Sequence, residues 1–323
     1  MKLPVALDVM GGDYGSDVLV EGALAAVDQG YAVVLVGDRS GVGDYAEPRA
    51  GLSFARAERS VAMTDAPSAV RRLPESSARV VARLVQTGEA CAAVSCGNTG
   101  ASMVAAIMEM GLLPGIERPP VSVVLPRADG GRLVLLDAGA NVDCRPEMLA
   151  NFARVGAAYA QALGFDVPRV GLLSNGEEDG KGNTQTRQVM PLLRASGLHV
   201  VGNIEPGDAM SGACDVLVCD GFVGNAVLKA AEGAAEIGAA VLSDLLSGLV
   251  EVAEDEALTK RVLTQFQGRM SWDSYGGGVL LGVDGVFVVG HGRATARAAE
   301  AAIVLAHRCV ETDVCGNIRR FSC

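Results

Sequence analysis

The sequence predicts an α/β fold of three layers built on a mostly parallel sheet. Three observations carry this. Short apolar runs, often β-branched, recur along the whole chain; alanine-rich amphipathic segments separate most of them; and glycine with polar residues gathers just after the apolar runs. Strands that are apolar throughout and joined by helices are what a parallel sheet covered on both faces requires.

The elements follow in order. VALDV (5–9) reads as the first strand and 17–29 as the first helix. AVVLVG (32–37) and AAVSC (92–96) are further strands, with helices over 78–88 and 99–110. VSVVLP (121–126) and RLVLLDA (132–138) are separated only by RADGG, a spacing that suits a hairpin, so one antiparallel excursion is expected. RVGLLS (169–174), HVVGN (199–203), DVLVCD (215–220) and GVFVVG (285–290) complete the strands, with helices over 147–163, 184–195, 224–247 and 293–311. The least regular region, 248–275, reads as two helices joined by a loop. We expect one α/β unit over 1–323, or two lobes, with a helical segment at about 236–272 projecting from it for pairing with a second subunit or contact with a membrane.

Composition narrows the function. The 323 residues can bury a sizeable core. A net charge of −11, with no basic arm, argues against nucleic acid as a partner. The eight cysteines lack CxxC spacing and several sit in apolar runs, so we expect reduced, structural thiols in a cytoplasmic protein. The opening MKLPVALDV reads as a strand rather than a secretory leader, and no run approaches the ~20 apolar residues of a spanning helix.

The candidate chemistry lies in turns that follow strands, where open parallel sheets hold their ligands. In DVMGGDYGSD (8–17), Asp8 precedes the Gly11-Gly12 turn. This is not a dinucleotide fingerprint, and a capped tight turn fits it equally well. In SCGNTGA (95–101), Gly97 and Gly100 permit close backbone approach. Ser95, Asn98 and Thr99 supply polar groups at a helix start, suited either to capping or to an anion. Asp137 and Asn141 crowd the turn LDAGANVD, Lys181 and Asn183 lie in SNGEEDGKGNTQT, and Asp220, Gly224 and Asn225 open a helix in CDGFVGNAVLKAAEG. His291 is the one histidine in a glycine setting. No Walker A, HExxH or GxSxG pattern appears, so we expect no metal, no cofactor and no covalent enzyme intermediate.

In this order, DVMGGD, SCGNTGA, LLDAGANVD, GLLSNGEEDGKGN, GNIE, CDGFVGNAVLKAAEG and YGGGVLLG…GHG resemble the bacterial phosphate acyltransferase family of phospholipid synthesis. The resemblance runs from residue 5 to about 310. It implies a Rossmann-like α/β/α fold related to isocitrate and isopropylmalate dehydrogenases and to phosphate acetyltransferase. It also implies a homodimer, no nucleotide, and transfer of a long acyl chain from acyl carrier protein to inorganic phosphate. By matching motif, Lys181 would be the cationic group and Asn225 a donor to carbonyl or phosphate. Asn98 and Thr99 with the backbone of 97–100 would bind phosphate, and His291 would protonate the leaving thiolate. Asp8, Asp137 and Asp220 would orient donors. Asn141, Asn183, Gly11, Gly12, Ser95 and Gly224 would complete the substrate site.

Arg71, Arg72, Arg79 and Arg83 would dock the acidic carrier protein, or else form a solvated helix face. This chain departs from the family in having Arg293 and Ala294 after GHG, and in the acidic EVAEDEA (251–257) where the family carries membrane-touching residues. LLSGLV (245–250) would give peripheral contact with the inner membrane face. The competing expectations are a phosphate acyltransferase for short acyl-CoA, a non-catalytic scaffold for carrier protein or membrane, and a dehydrogenase of the related fold. The CGNIR segment (315–319), beyond the matching region, reads as loop.

Overall fold

The computed structural model describes residues 3–247, 253–270 and 276–322. Among these, eleven strands form one sheet: β1 (Val5–Asp8), β2 (Val33–Gly37), β3 (Leu52–Arg56), β4 (Ala92–Ser95), β5 (Val121–Pro126), β6 (Arg132–Leu136), β7 (Val170–Leu173), β8 (Val200–Ile204), β9 (Val216–Val218), β10 (Gly278–Leu280) and β11 (Val286–Val289). The helices are α1 (Ser16–Asp28), α2 (Arg39–Val42), α3 (Ser77–Gln86), α4 (Thr99–Met110), α5 (Pro146–Ala162), α6 (Thr184–Arg194), α7 (Pro206–Ser211), α8 (Gly221–Ser247), α9 (Ala253–Met270), α10 (Ala296–Glu311) and α11 (Val314–Ser322). This is the expected α/β class.

The strand order is β3-β2-β1-β4-β11-β10-β5-β6-β9-β7-β8. The first block, β3 to β11, is parallel. β10 is antiparallel to both β11 and β5, and β5 is antiparallel to β6. The second block, β6 to β8, is parallel again. The expected hairpin is therefore β5–β6, but the excursion is larger than a hairpin. Passing through these reversals leaves the second block running against the first.

Both blocks are dry inside. Every residue of β1, β4, β7, β9 and β11 is buried, as the unbroken apolar runs predict. Tyr159 and Phe152 on α5 and Phe287 on β11 are the largest fully buried side chains.

Three elements correct the sequence reading. β3 lies outside the expected set of strands: it is an edge strand whose Ser53 and Arg56 break the apolar run. β10 hides in glycines. A Cβ at Gly277 would lie 2.5 Å from the Val289 carbonyl oxygen, so the strand can pass β11 only without one. CGNIR is helical, not loop, because Val314 and Ile318 are buried and α11 packs on α5.

Over the segment set apart at about 236–272, the structure has α8, which begins at Gly221, well before 236, and α9. The outer half of α8 exposes Ile237, Val241 and Leu245, spaced four apart on one stripe, and α9 packs beside it. Residues 248–252 lie outside the described residues, and with them the tip of LLSGLV and Glu251. Among the described residues, no helix is long and apolar enough to cross a membrane.

Candidate active site

A cleft of about 470 Å³ lies between α8 and the middle of the sheet. Every residue of β5 except Ser122 lines it, and Leu228, Ala231, Ala234 and Ala235 of α8 close it from above. Met210 stands near the C-terminal end of β5, where the Ala128 N–H donates to the Met210 carbonyl oxygen (2.9 Å). At the side facing the first block the lining turns polar: Asp13, Thr99, Asn225, Lys229, Glu232, His291 and Arg293.

The first block holds its wall by close backbone packing. The turns after β1, β4 and β11 touch one another. A Cβ at Gly11 would sit 2.7 Å from the Gly97 backbone nitrogen, and the Asp13 N–H donates to the Gly292 carbonyl oxygen at 2.7 Å. Beneath them Asp8 accepts from the Met10 N–H (3.0 Å) and the Ser95 hydroxyl (2.8 Å). Burial pushes the Asp8 pKa up, and these donors oppose that shift. Asp8, Gly11, Gly12, Ser95 and Gly97 thus support the wall from beneath rather than line the cleft.

Asn98 is consumed by structure. Its Oδ1 accepts from the Ala101 N–H (3.0 Å) as the N-cap of α4. Its Nδ2 reaches the carbonyl oxygens of Ala62, Met63 and Asp65 at 3.3, 3.4 and 3.0 Å. That tie holds Met63 at the cleft. Gly100 packs against Pro67. Of this turn, Thr99 alone lines the cleft.

Polar side chains of the second block are likewise spent locally. Asp137, fully buried, accepts from the N–H groups of Val121, Gly139, Ala140 and Asn141 and from the Asn141 side chain. Burial raises its pKa and these donors oppose the rise. Asp220 accepts from the Val223 N–H (2.9 Å) and starts α8, and Asn183 accepts from the Thr186 N–H (2.9 Å) and starts α6. Gly224 lets α8 lie on the Asp137 turn, since a Cβ there would be 1.9 Å from the Asp137 carbonyl oxygen. That contact places Asn225 beside Gly139 and aims the next turn of the helix across the cleft.

Lys181 is not brought to this cleft. It is exposed on the turn between β7 and α6, packed over Gly176. In its place the cleft holds Lys229, which is not among the residues expected from the motifs. Lys229 Nζ lies 2.7 Å from Glu232 Oε2 and 2.9 Å from His291 Nε2. A signal for it is present in the sequence: Asn225 and Lys229 are four residues apart, hence on one helix face. Burial, and then the Lys229 charge, lower the His291 pKa.

The four arginines divide. Arg71 and Arg72 are exposed in a short 3₁₀ segment, whereas Arg79 is turned onto Glu109 (2.5 Å) and Arg83 onto Glu75 (3.2 Å). The cysteines described are all unpaired thiols, and burial pushes Cys96 and Cys214 up to about 12.

Known proteins share this architecture and sequence. The crystal structure of a phosphotransacetylase from Streptococcus pyogenes has a TM-score of 0.63 at 17% identity, covering 96% of this chain and 94% of that one. A 4-hydroxythreonine-4-phosphate dehydrogenase from Klebsiella pneumoniae has a TM-score of 0.53 at 14% identity, covering 96% and 100%. These show the fold alone. A family model described as "Fatty acid synthesis protein" matches residues 3–317. The phosphate acyltransferase of Desulforudis audaxviator is 44% identical over 319 residues, 97% of this chain and 94% of that protein. That of Thermus thermophilus is 42% identical over 318 residues, 98% and 97%. A match of this length and identity, over a chain folded like the phosphotransacetylases, leaves one conclusion: the chain belongs to the phosphate acyltransferase family of fatty acid synthesis proteins.

Proposed function

We propose that the enzyme moves a long fatty acyl group from acyl carrier protein to inorganic phosphate, releasing acyl phosphate and free carrier thiol. The observation that carries this reading is the two-sided cleft: apolar along β5 and α8, polar at Thr99, Asn225 and His291. The strand β5, at roughly 3.4 Å per residue, gives a trough of about 17–20 Å, more than a two- or three-carbon acyl group occupies. This favours a long-chain donor over short acyl-CoA.

The chemistry balances without a covalent enzyme intermediate. An oxygen of HPO₄²⁻ attacks the thioester carbonyl carbon, a C–O bond forms and the C–S bond breaks. The phosphate proton ends on the departing sulfur, so the thiolate leaves as thiol. The Asn225 amide is suited to donate to the carbonyl oxygen as charge develops there, a contribution of roughly 3–4 kcal/mol for one preorganised donor.

Arg71 and Arg72 are the exposed part of the proposed carrier-protein surface. The Ile237, Val241 and Leu245 stripe is suited to pairing with a second copy or to contact with a membrane face. The experiment is phosphate-dependent thiol release from acyl-acyl-carrier-protein across chain lengths, with acyl-CoA in parallel. Release that rises with phosphate and is fastest for long-chain carrier substrates is expected. No release at any phosphate concentration would end the reading, and preference for short acyl-CoA would replace it with the second one.

A further inference from the structure

We propose that Lys229 and His291 together form the phosphate-binding pair of the cleft, Lys229 supplying the cation and His291 a neutral N–H donor. This rests on the acyl-to-phosphate reading above and adds to it a residue, Lys229, and a new role for His291.

The imidazole tautomer is set by its backbone neighbour. The Arg293 backbone N–H donates to His291 Nδ1 at 3.1 Å. A nitrogen that accepts carries no proton, so the neutral ring holds its proton on Nε2. Lys229 Nζ lies 2.9 Å from that same Nε2. A lysine ammonium has only donors. Two N–H groups therefore face one junction inside the polar end of the cleft, a poor pairing with each other. An oxygen dianion placed at the junction accepts from both, and the Lys229 bond is the charge-assisted one.

The surroundings keep the pair in place. Glu232, with its side chain 16% exposed, accepts from Lys229 at 2.7 Å and points the ammonium back across the cleft. Asn225 precedes Lys229 by one helical turn, which places the carbonyl donor and the phosphate pair side by side. Thr99 opens α4 on the same polar side. Burial and the Lys229 charge lower the ring's pKa and so favour the neutral form, in which Nδ1 is an acceptor. The pair thus presents one positive charge and one neutral donor, and it needs no proton transfer to bind phosphate or to release the acylated product.

The test uses the full chain in steady-state thiol release, varying phosphate at saturating acyl donor and the donor at saturating phosphate. Lys229→Ala is expected to raise the phosphate KM about tenfold or more while the acyl-donor KM stays within about twofold, as loss of one charged hydrogen bond would. Lys229→Arg, which keeps the charge, is expected to recover part of the loss. His291→Gln is expected to raise the phosphate KM as well, and the double variant to lose less than the product of the two single effects, since the residues act as a unit. Calorimetric titration with inorganic phosphate alone gives a readout independent of turnover: binding by wild type and its loss in Lys229→Ala. Lys229→Gln serves where Lys229→Ala melts abnormally by circular dichroism. An unchanged phosphate KM in the lysine variants, equal rises in both KM values, or a phosphate KM that responds to Lys181→Ala instead, each overturns the proposal. Absence of turnover in the wild type would strike the acyltransfer reading itself.

Discussion

Two glycine-rich turns, 95–101 and 174–186, look alike as sequence and differ as structure. Each follows a buried strand, contains Gly-Asn and opens a helix. The first is wedged among the turns of β1 and β11, with Gly11 against Gly97 and Asn98 tied to three carbonyl oxygens. The second stands exposed at the end of a strand in the block of opposite direction, its Gly180 with open space around it. A polar glycine turn therefore does not become part of a site by composition. It does so when its neighbours hold it at the cleft. Even then, the wall 95–101 gives the cleft only Thr99, while α8 gives Asn225 and Lys229.

Adding one methyl group on each side separates the two turns most strongly. Gly11→Ala forces a Cβ to within 2.7 Å of the Gly97 nitrogen, where backbone must move. The expected cost is about 1–3 kcal/mol or more, seen as a lower midpoint in denaturant. An unchanged midpoint would mean that the first wall is looser than described.

Next come the two capping asparagines. Asn98→Ala removes the α4 cap and leaves three carbonyl oxygens without their donor, for a loss of about 2 kcal/mol. Asn183→Ala removes a cap on an exposed turn, at about 1 kcal/mol. Asn98→Ala should also alter the acyl-donor KM through Met63, which Asn183→Ala should not. Equal effects on stability and KM would erase the distinction between the turns.

The pH profile probes the β11 side of the first wall. Burial, Lys229 and Arg293 lower the His291 pKa, while Glu232 and Asp13 oppose them. The ring therefore takes up its proton at a lower pH than an ordinary imidazole, and the acid limb of kcat/KM that belongs to it lies below 6.5. The sign for folding is the same. The unfolded chain takes up the proton first, so this residue's contribution to stability falls as pH drops below 6.5. His291→Gln should abolish that limb; a limb above 6.5 in wild type would contradict the neutral ring.

The smallest effect belongs to Gly180→Ala, the methyl added to the second turn. With nothing near its Cβ and no left-handed backbone requirement, it should be neutral or gain up to about 1 kcal/mol by stiffening the unfolded chain. A marked loss of stability or activity would show that the second turn is held more closely than its open surroundings indicate.

Local patterns in the chain dictate the class of fold, the hairpin at 121–138, most helices and the turns in which polar residues gather. These are matters of apolar periodicity and turn chemistry, readable over a dozen residues. The same patterns single out Thr99, Asn225 and His291. Tertiary packing alone brings the short strand β10 in antiparallel beside β5 and turns the second block against the first. No local pattern encodes the relative direction of distant strands. Packing also leaves Lys181 on the exposed turn after β7, away from the cleft, while α8, seated on the Asp137 turn through Gly224, brings Lys229 to His291, sixty-two residues away in the chain.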